Sequence, residues 1–91
     1  YSAFNIAIEV LEHLWAPFRL ADELVDKSWV GAVITTPNPA VVDVLGMDPT
    51  HVTPITEDDL LIRGWFVEVC ELFGTEGDSL LAWKYKPRRV H

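Results

Sequence analysis

The sequence predicts an α+β fold: an N-terminal helix, or a kinked helix pair, packed on a small three-stranded sheet that ends in a β-hairpin. Three observations carry this reading. Apolar residues recur at helical spacing through the first 27 positions. The run Trp29–Thr36 has the aromatic and β-branched composition of a strand. Two stretches of twelve residues, 62–73 and 79–90, flank the turn-forming Gly74-Thr75-Glu76-Gly77-Asp78. At 91 residues the chain reads as one domain over 1–91. A domain of that size buries roughly 60–65% of its unfolded surface, which makes a thin core.

Phe4, Ile8, Leu11, Trp15 and Phe18 recur at steps of four and three, with Glu9, Glu12 and His13 off that stripe. Ser2 is positioned to cap such a helix. Pro17 removes a backbone donor and stops or kinks it. Phe18, Ala21, Leu24 and Val25 then give a second apolar stripe, so helix is expected over 3–27. Trp29–Thr36 follows as a strand buried on both faces, closed by Pro37. Asn38, Pro39 and Gly46 supply the cap, first position and stop of a short helix. Residues 47–56, with Pro49 and Pro54, form a stiff loop.

Residues 57–73 support two readings. Thr56 followed by Glu57-Asp58-Asp59 opens a helix that Gly74 could end. A hairpin is the preferred alternative, because one register places Glu68 opposite Lys84, Val69 opposite Trp83 and Val67 opposite Tyr85. The expected order is therefore helix, helix, strand, short helix, strand, strand, with the N-terminal helix on the sheet's aromatic face.

Charge is unevenly placed. Residues 1–83 hold all 14 acidic residues and only Arg19, Lys27 and Arg63 as bases, a charge of −11. The basic tail 84–91 carries Lys84, Lys86, Arg88 and Arg89 without an acid. An acidic body of this kind repels nucleic acid and anionic membranes. No apolar run approaches the ~18 residues of a membrane span. No basic start precedes an apolar segment as in a signal peptide. The absence of a starting Met points to a processed or partial chain, with which a removed signal is compatible. A lone cysteine, Cys70, excludes an internal disulfide framework and a multi-cysteine zinc site. A reducing compartment, cytoplasmic or inside a host cell, is expected.

Few residues carry chemistry. Glu9 and His13, four apart, would share a helix face with Glu12 nearby. A catalytic zinc needs about three protein ligands, and the remaining histidines fall on a loop (His51) and at the chain end (His91). A solvated Glu–His pair is the plainer reading, and no metal is assigned. Cys70 lies among Glu68 and Glu71, which suppress a thiolate. Glu57-Asp58-Asp59 lacks the ligand spacing of a hard-cation loop and reads as a helix start. The five glycines are scattered, so no phosphate loop forms. No catalytic residue and no cofactor is expected.

The most informative feature is aromatic excess. Four Trp, four Phe and two Tyr exceed what so small a core hides. The sequence therefore predicts a non-enzymatic interaction domain, acting as inhibitor, adaptor or subunit of a larger assembly such as a viral particle. Its partner is another protein or a second copy of itself. The expected contact residues are Trp15, Phe18, Trp65, Lys84, Lys86, Arg88 and Arg89. Two alternatives are a nucleic-acid module on the basic C-terminal strand and a metal- or ligand-binding enzyme using Glu9, His13 and His51.

Overall fold

The computed structural model describes residues 2–87. It is α+β, with three helices and a four-stranded mixed sheet in the order β1-β2-β4-β3. The first element, β1 (Ser2–Ile8), is a strand where a helix was expected. Phe4, Ile6 and Ile8 alternate with Asn5 and Ala7, so the same residues fit a period of two. The β-branched isoleucines favour the pleated form. Ser2 accordingly opens a strand and caps no helix. The chain leaves β1 at Glu9, the one described non-glycine residue with positive φ (54°), and makes a single 3-10 turn at Leu11–His13.

Helix α1 (Pro17–Asp26) is the second predicted helical stretch. Pro17 starts it instead of breaking it, because the first helical position needs no N–H donor. Strand β2 (Ser28–Pro37) then runs parallel to β1, pairing Asn5 with Ala32 and Ala7 with Ile34. A parallel pair requires a crossover, and α1 is that crossover.

The short helix lies further along than expected. Asn38 Oδ1 accepts from the Ala40 N–H, and Val41 and Val42 N–H donate to the Asn38 carbonyl, which makes one turn that does not propagate. Helix α2 (Val44–Met47) starts after it, capped by Asp43, with Gly46 inside rather than at its end. Helix α3 (Glu57–Leu61) carries the predicted acidic first turn and a reciprocal capping box between Thr56 and Asp59. Gly64 (φ 86°) ends that turn, and β3 (Phe66–Cys70) and β4 (Ser79–Tyr85) form the hairpin. Residues 57–73 are thus helix and then strand.

The hairpin register corrects the expectation. Glu68 pairs with Leu81, not Lys84, a shift of three residues, and an odd shift exchanges the faces of one strand. Asp78 is the cause. Fully buried, it accepts backbone N–H groups from Leu72 (2.8 Å), Phe73 (2.9 Å) and Thr75 (2.9 Å). The loop wraps around that carboxylate and closes the ladder at Cys70–Ser79. Burial pulls the Asp78 carboxyl up, but the three N–H donors hold it below the usual carboxylate range.

Alternation gives the sheet two unlike faces. On one, Ala7, Ala32, Ile34, Leu80 and Ala82 meet Ala21 and Val25 of α1, and Leu11, Ile55, Leu60 and Trp65 complete the core. Asn5 Nδ2 donates to the Leu24 carbonyl at 2.8 Å, tying β1 to the helix. The helix therefore covers the small-residue face, not the aromatic one as expected. Among the described residues no helix is long and apolar enough to cross a membrane.

Gly31 lies on the aromatic face, paired with Phe4 on one side and Tyr85 on the other. A Cβ there would sit 2.2 Å from the Lys84 carbonyl oxygen. Gly31→Ala is expected to force β2 and β4 apart and cost on the order of 3 kcal/mol in urea unfolding.

Asp78→Asn tests the loop. A carboxyl held below its unfolded pKa adds stability above the ordinary carboxylate range and loses it as pH falls through the folded value. The variant is expected to melt lower than the wild type at pH 7. Its melting temperature should also fall less steeply below about pH 4. Equal slopes in the two proteins would refute the assignment.

Candidate interaction face and histidine–glutamate cavity

The face away from α1 is apolar and open. Ile6 and Ile8 are each 65% exposed, and Phe66 and Tyr85 each 55%. Phe66 stacks on Trp83 at 5.7 Å, and Tyr85 meets Phe66 and Phe4 edge-on at 6.2 and 6.3 Å. The rings thus form a continuous aromatic layer from β3 across β4 to β1. Glu68 is the single charged side chain on the paired positions of this face.

The expected contact residues distribute unevenly. Trp15 is 82% exposed, in the link before α1. Phe18 is half-buried, with the Arg63 guanidinium 3.7 Å over its ring. Trp65 is 3% exposed and belongs to the core, which removes it from any surface. Lys84 Nζ donates to the Arg63 carbonyl at 2.8 Å, and Lys86 Nζ donates to the Asp26 and Ser28 carbonyls. These ammonium groups fasten the sheet to its neighbours. Arg88 and Arg89 lie outside the described residues. The isoleucines and Phe66 were missed as contact residues because the N-terminus reads as a helix; the alternation of Phe4, Ile6 and Ile8 was the available signal.

A second feature lies at the end of β1 and β2. Glu9, Glu12, His13 and His51 line one cavity of about 270 Å³. The Glu12 carbonyl accepts N–H groups from Val52 (2.9 Å) and Thr53 (3.1 Å), and Thr53 Oγ1 donates to the Leu14 carbonyl. The loop is thereby laced over the 3-10 turn, and His51 is delivered to Glu12. Glu12 Oε2 lies 4.0 Å from His13 Nε2 and 3.9 Å from His51 Nε2. The Glu12 side chain is 1% exposed, His51 8% and His13 34%.

The tautomers follow from the partners. His51 Nδ1 lies 2.7 Å from the Val44 carbonyl, which can only accept. The Thr50 hydroxyl donates to Asp48, so His13 Nδ1, 2.8 Å away, donates to Thr50 Oγ1. Both Nδ1 atoms carry a proton, so in the neutral rings the two Nε2 lone pairs face the Glu12 carboxylate. Glu12 Oε2 and Glu9 Oε2 are buried without a hydrogen-bond partner. Thr35 Oγ1 donates to Glu9 Oε1 at 3.0 Å, and Thr36 Oγ1 to Glu12 Oε1 at 3.5 Å. Burial and the neighbouring Glu12 carboxylate push the Glu9 carboxyl up to about 7, against the bond from the Thr35 hydroxyl. The Asp48 carboxyl at the cavity is held low by the Thr50 hydroxyl and N–H.

Among the described residues, Glu12, His13 and His51 are the set able to hold a metal ion, with one ligand atom from each within 4.8 Å of the others. Sequence spacing had suggested Glu9 with His13 on a helix face. The structure places Glu12 and His13 on a 3-10 turn and brings to them His51, which the ligand-site alternative had grouped with Glu9 and His13. Cys70 is far poorer chemistry: burial and the Glu68, Asp78 and Glu9 charges push its thiol up. Compared with known proteins, the chain matches no protein-family model, no curated protein and no solved structure. Geometry alone carries the functional reading.

The indoles give a direct optical check. Trp15 and Trp29 are 82% and 74% exposed, and Trp65 is 3% exposed. Trp15→Phe and Trp29→Phe are each expected to remove red-shifted emission that acrylamide quenches. Trp65→Phe is expected to remove the blue-shifted, protected component.

Proposed function

We propose that this chain is a non-enzymatic interaction domain whose open sheet face docks onto the same face of a second copy, as a subunit of a symmetric assembly. The observation that carries this reading is the continuous aromatic and aliphatic face left bare by α1. Four of its large apolar side chains, Ile6, Ile8, Phe66 and Tyr85, are each more than half exposed and contiguous with Phe4 and Trp83, which makes the apolar centre a stable protein interface needs. Exposed apolar surface of that extent is unusual on a monomer. The face holds rings at its centre and Glu68 on the edge strand β3, which matches the apolar centre and polar rim of protein contacts. A foreign partner selected by charge would call for a charged face. This one is nearly uncharged and therefore suits its own copy, sheet against sheet at about 10 Å.

The net charge of −7 resists association at long range, so salt is expected to tighten the contact. Sedimentation of the full chain at micromolar concentration should show a dimer that strengthens between low and physiological salt. Ile6→Lys alters a side chain that is 65% exposed, leaves the fold intact by circular dichroism and should yield a monomer. A wild-type monomer at 100-fold higher concentration overturns the reading. A dimer that survives Ile6→Lys also overturns it and moves the contact to the free edge of β1.

A further inference from the structure

We propose that Glu12, His13 and His51 form a three-ligand centre for a divalent transition-metal ion of the zinc type. This goes beyond the interaction reading and shares no residue with the sheet face. Three acceptor atoms point at one another: Glu12 Oε2 and the two Nε2 atoms, with 3.9 and 4.0 Å from the oxygen to each nitrogen. In the neutral form each imidazole keeps its proton on Nδ1, engaged by Val44 or Thr50, and Nε2 presents a lone pair to the centre. Glu12 Oε2 is buried and has no hydrogen-bond partner. Burying an unpaired carboxylate oxygen is costly, and a cation among the three lone pairs removes that cost.

The surroundings match those of metal-binding histidines. Such a ring almost always gives its other N–H to a carbonyl, a carboxylate or water, which fixes tautomer and orientation. His51 does this to the Val44 carbonyl, and His13 does it to Thr50, itself held by Asp48. Imidazole with carboxylate suits zinc and its neighbours in the first transition row, whereas calcium and magnesium prefer oxygen alone. Bonds of about 2.0–2.1 Å set ligand atoms roughly 3.4 Å apart, so Glu12 and each ring close by about half an ångström and the two rings approach each other by at most about 1.4 Å. Three protein ligands beside a cavity leave one coordination position for water or a small anion. The ion would also fasten the loop 48–56 to the 3-10 turn, so binding is folding free energy.

The test is titration of the full chain with Zn²⁺ by calorimetry, with Co²⁺ absorption in the visible as a coordination readout. One equivalent is expected to bind at micromolar Kd or tighter and to raise the melting temperature. His13 is the most exposed ligand, so His13→Ala should fold by circular dichroism yet lose at least about 100-fold in affinity. Thr50→Val, which removes only the positioning hydroxyl, should lose about 10-fold and keep the stoichiometry. Saturation absent at 1 mM Zn²⁺ overturns the proposal. Wild-type affinity in both His13→Ala and Glu12→Gln overturns it equally, because the ion would then sit on the acidic α3 or the tail.

Discussion

Parallel pairing of β1 with β2 is the constraint from which the rest follows. A parallel neighbour cannot be reached by a tight turn, so the chain must cross one face of the sheet on its way back. Helix α1 makes that crossing and covers the small-residue face. With one crossover only, α1 leaves the other face bare. The same connection has to leave β1 sharply, through Glu9 in a left-handed conformation that a side chain tolerates only when its surroundings hold it there. Thr35 holds it, by its carbonyl and its hydroxyl. The reversal then sets Glu12 and His13 at the end of the sheet, beneath the loop that brings His51. The open face and the cavity are two results of one strand pairing.

How far the sequence revealed the fold depended on whether signals were local. β2, α1 and the start of α3 were legible because composition and capping chemistry act within a few residues. Thr56 and Asp59 satisfy each other's backbone donors whatever the tertiary structure. The N-terminus failed because Phe4, Ile8 and Leu11 fit a helical stripe while Phe4, Ile6 and Ile8 fit a strand. The choice is made by β2, which lies over twenty residues away and pairs with it. In 57–73 two signals competed that were sequential in fact. The hairpin was legible as a pair of strands, but its register was not. Cross-strand charge pairing argued for Glu68 against Lys84, whereas the buried Asp78 carboxylate sets the loop and so the register.

The cavity was half visible. Glu9, Glu12 and His13 attract notice by proximity alone, although the helical spacing that grouped them does not exist in the fold. His51 could be named as a candidate only by residue type, because no spacing rule connects it to Glu12 across a loop. The connection is made by tertiary hydrogen bonds, from Val52 and Thr53 to the Glu12 carbonyl, from the Thr53 hydroxyl to Leu14 and from His13 to Thr50. The bare face was anticipated as an excess of rings, but not located. Trp65, named as a contact, is core, while Phe4, Ile6 and Ile8 on β1 and Phe66 on β3 are exposed on the open face.

A sheet dressed on one side only has a consequence for the life of the molecule. Its hydrophobic inventory is split between a core that one chain completes by itself and a layer that stands open, which the proposed second copy would cover. Where that layer is covered, mass action adds to the stability of each copy in proportion to the logarithm of how many copies there are. Orphans would then be the first to open, to meet chaperones and to be degraded, so abundance would police itself.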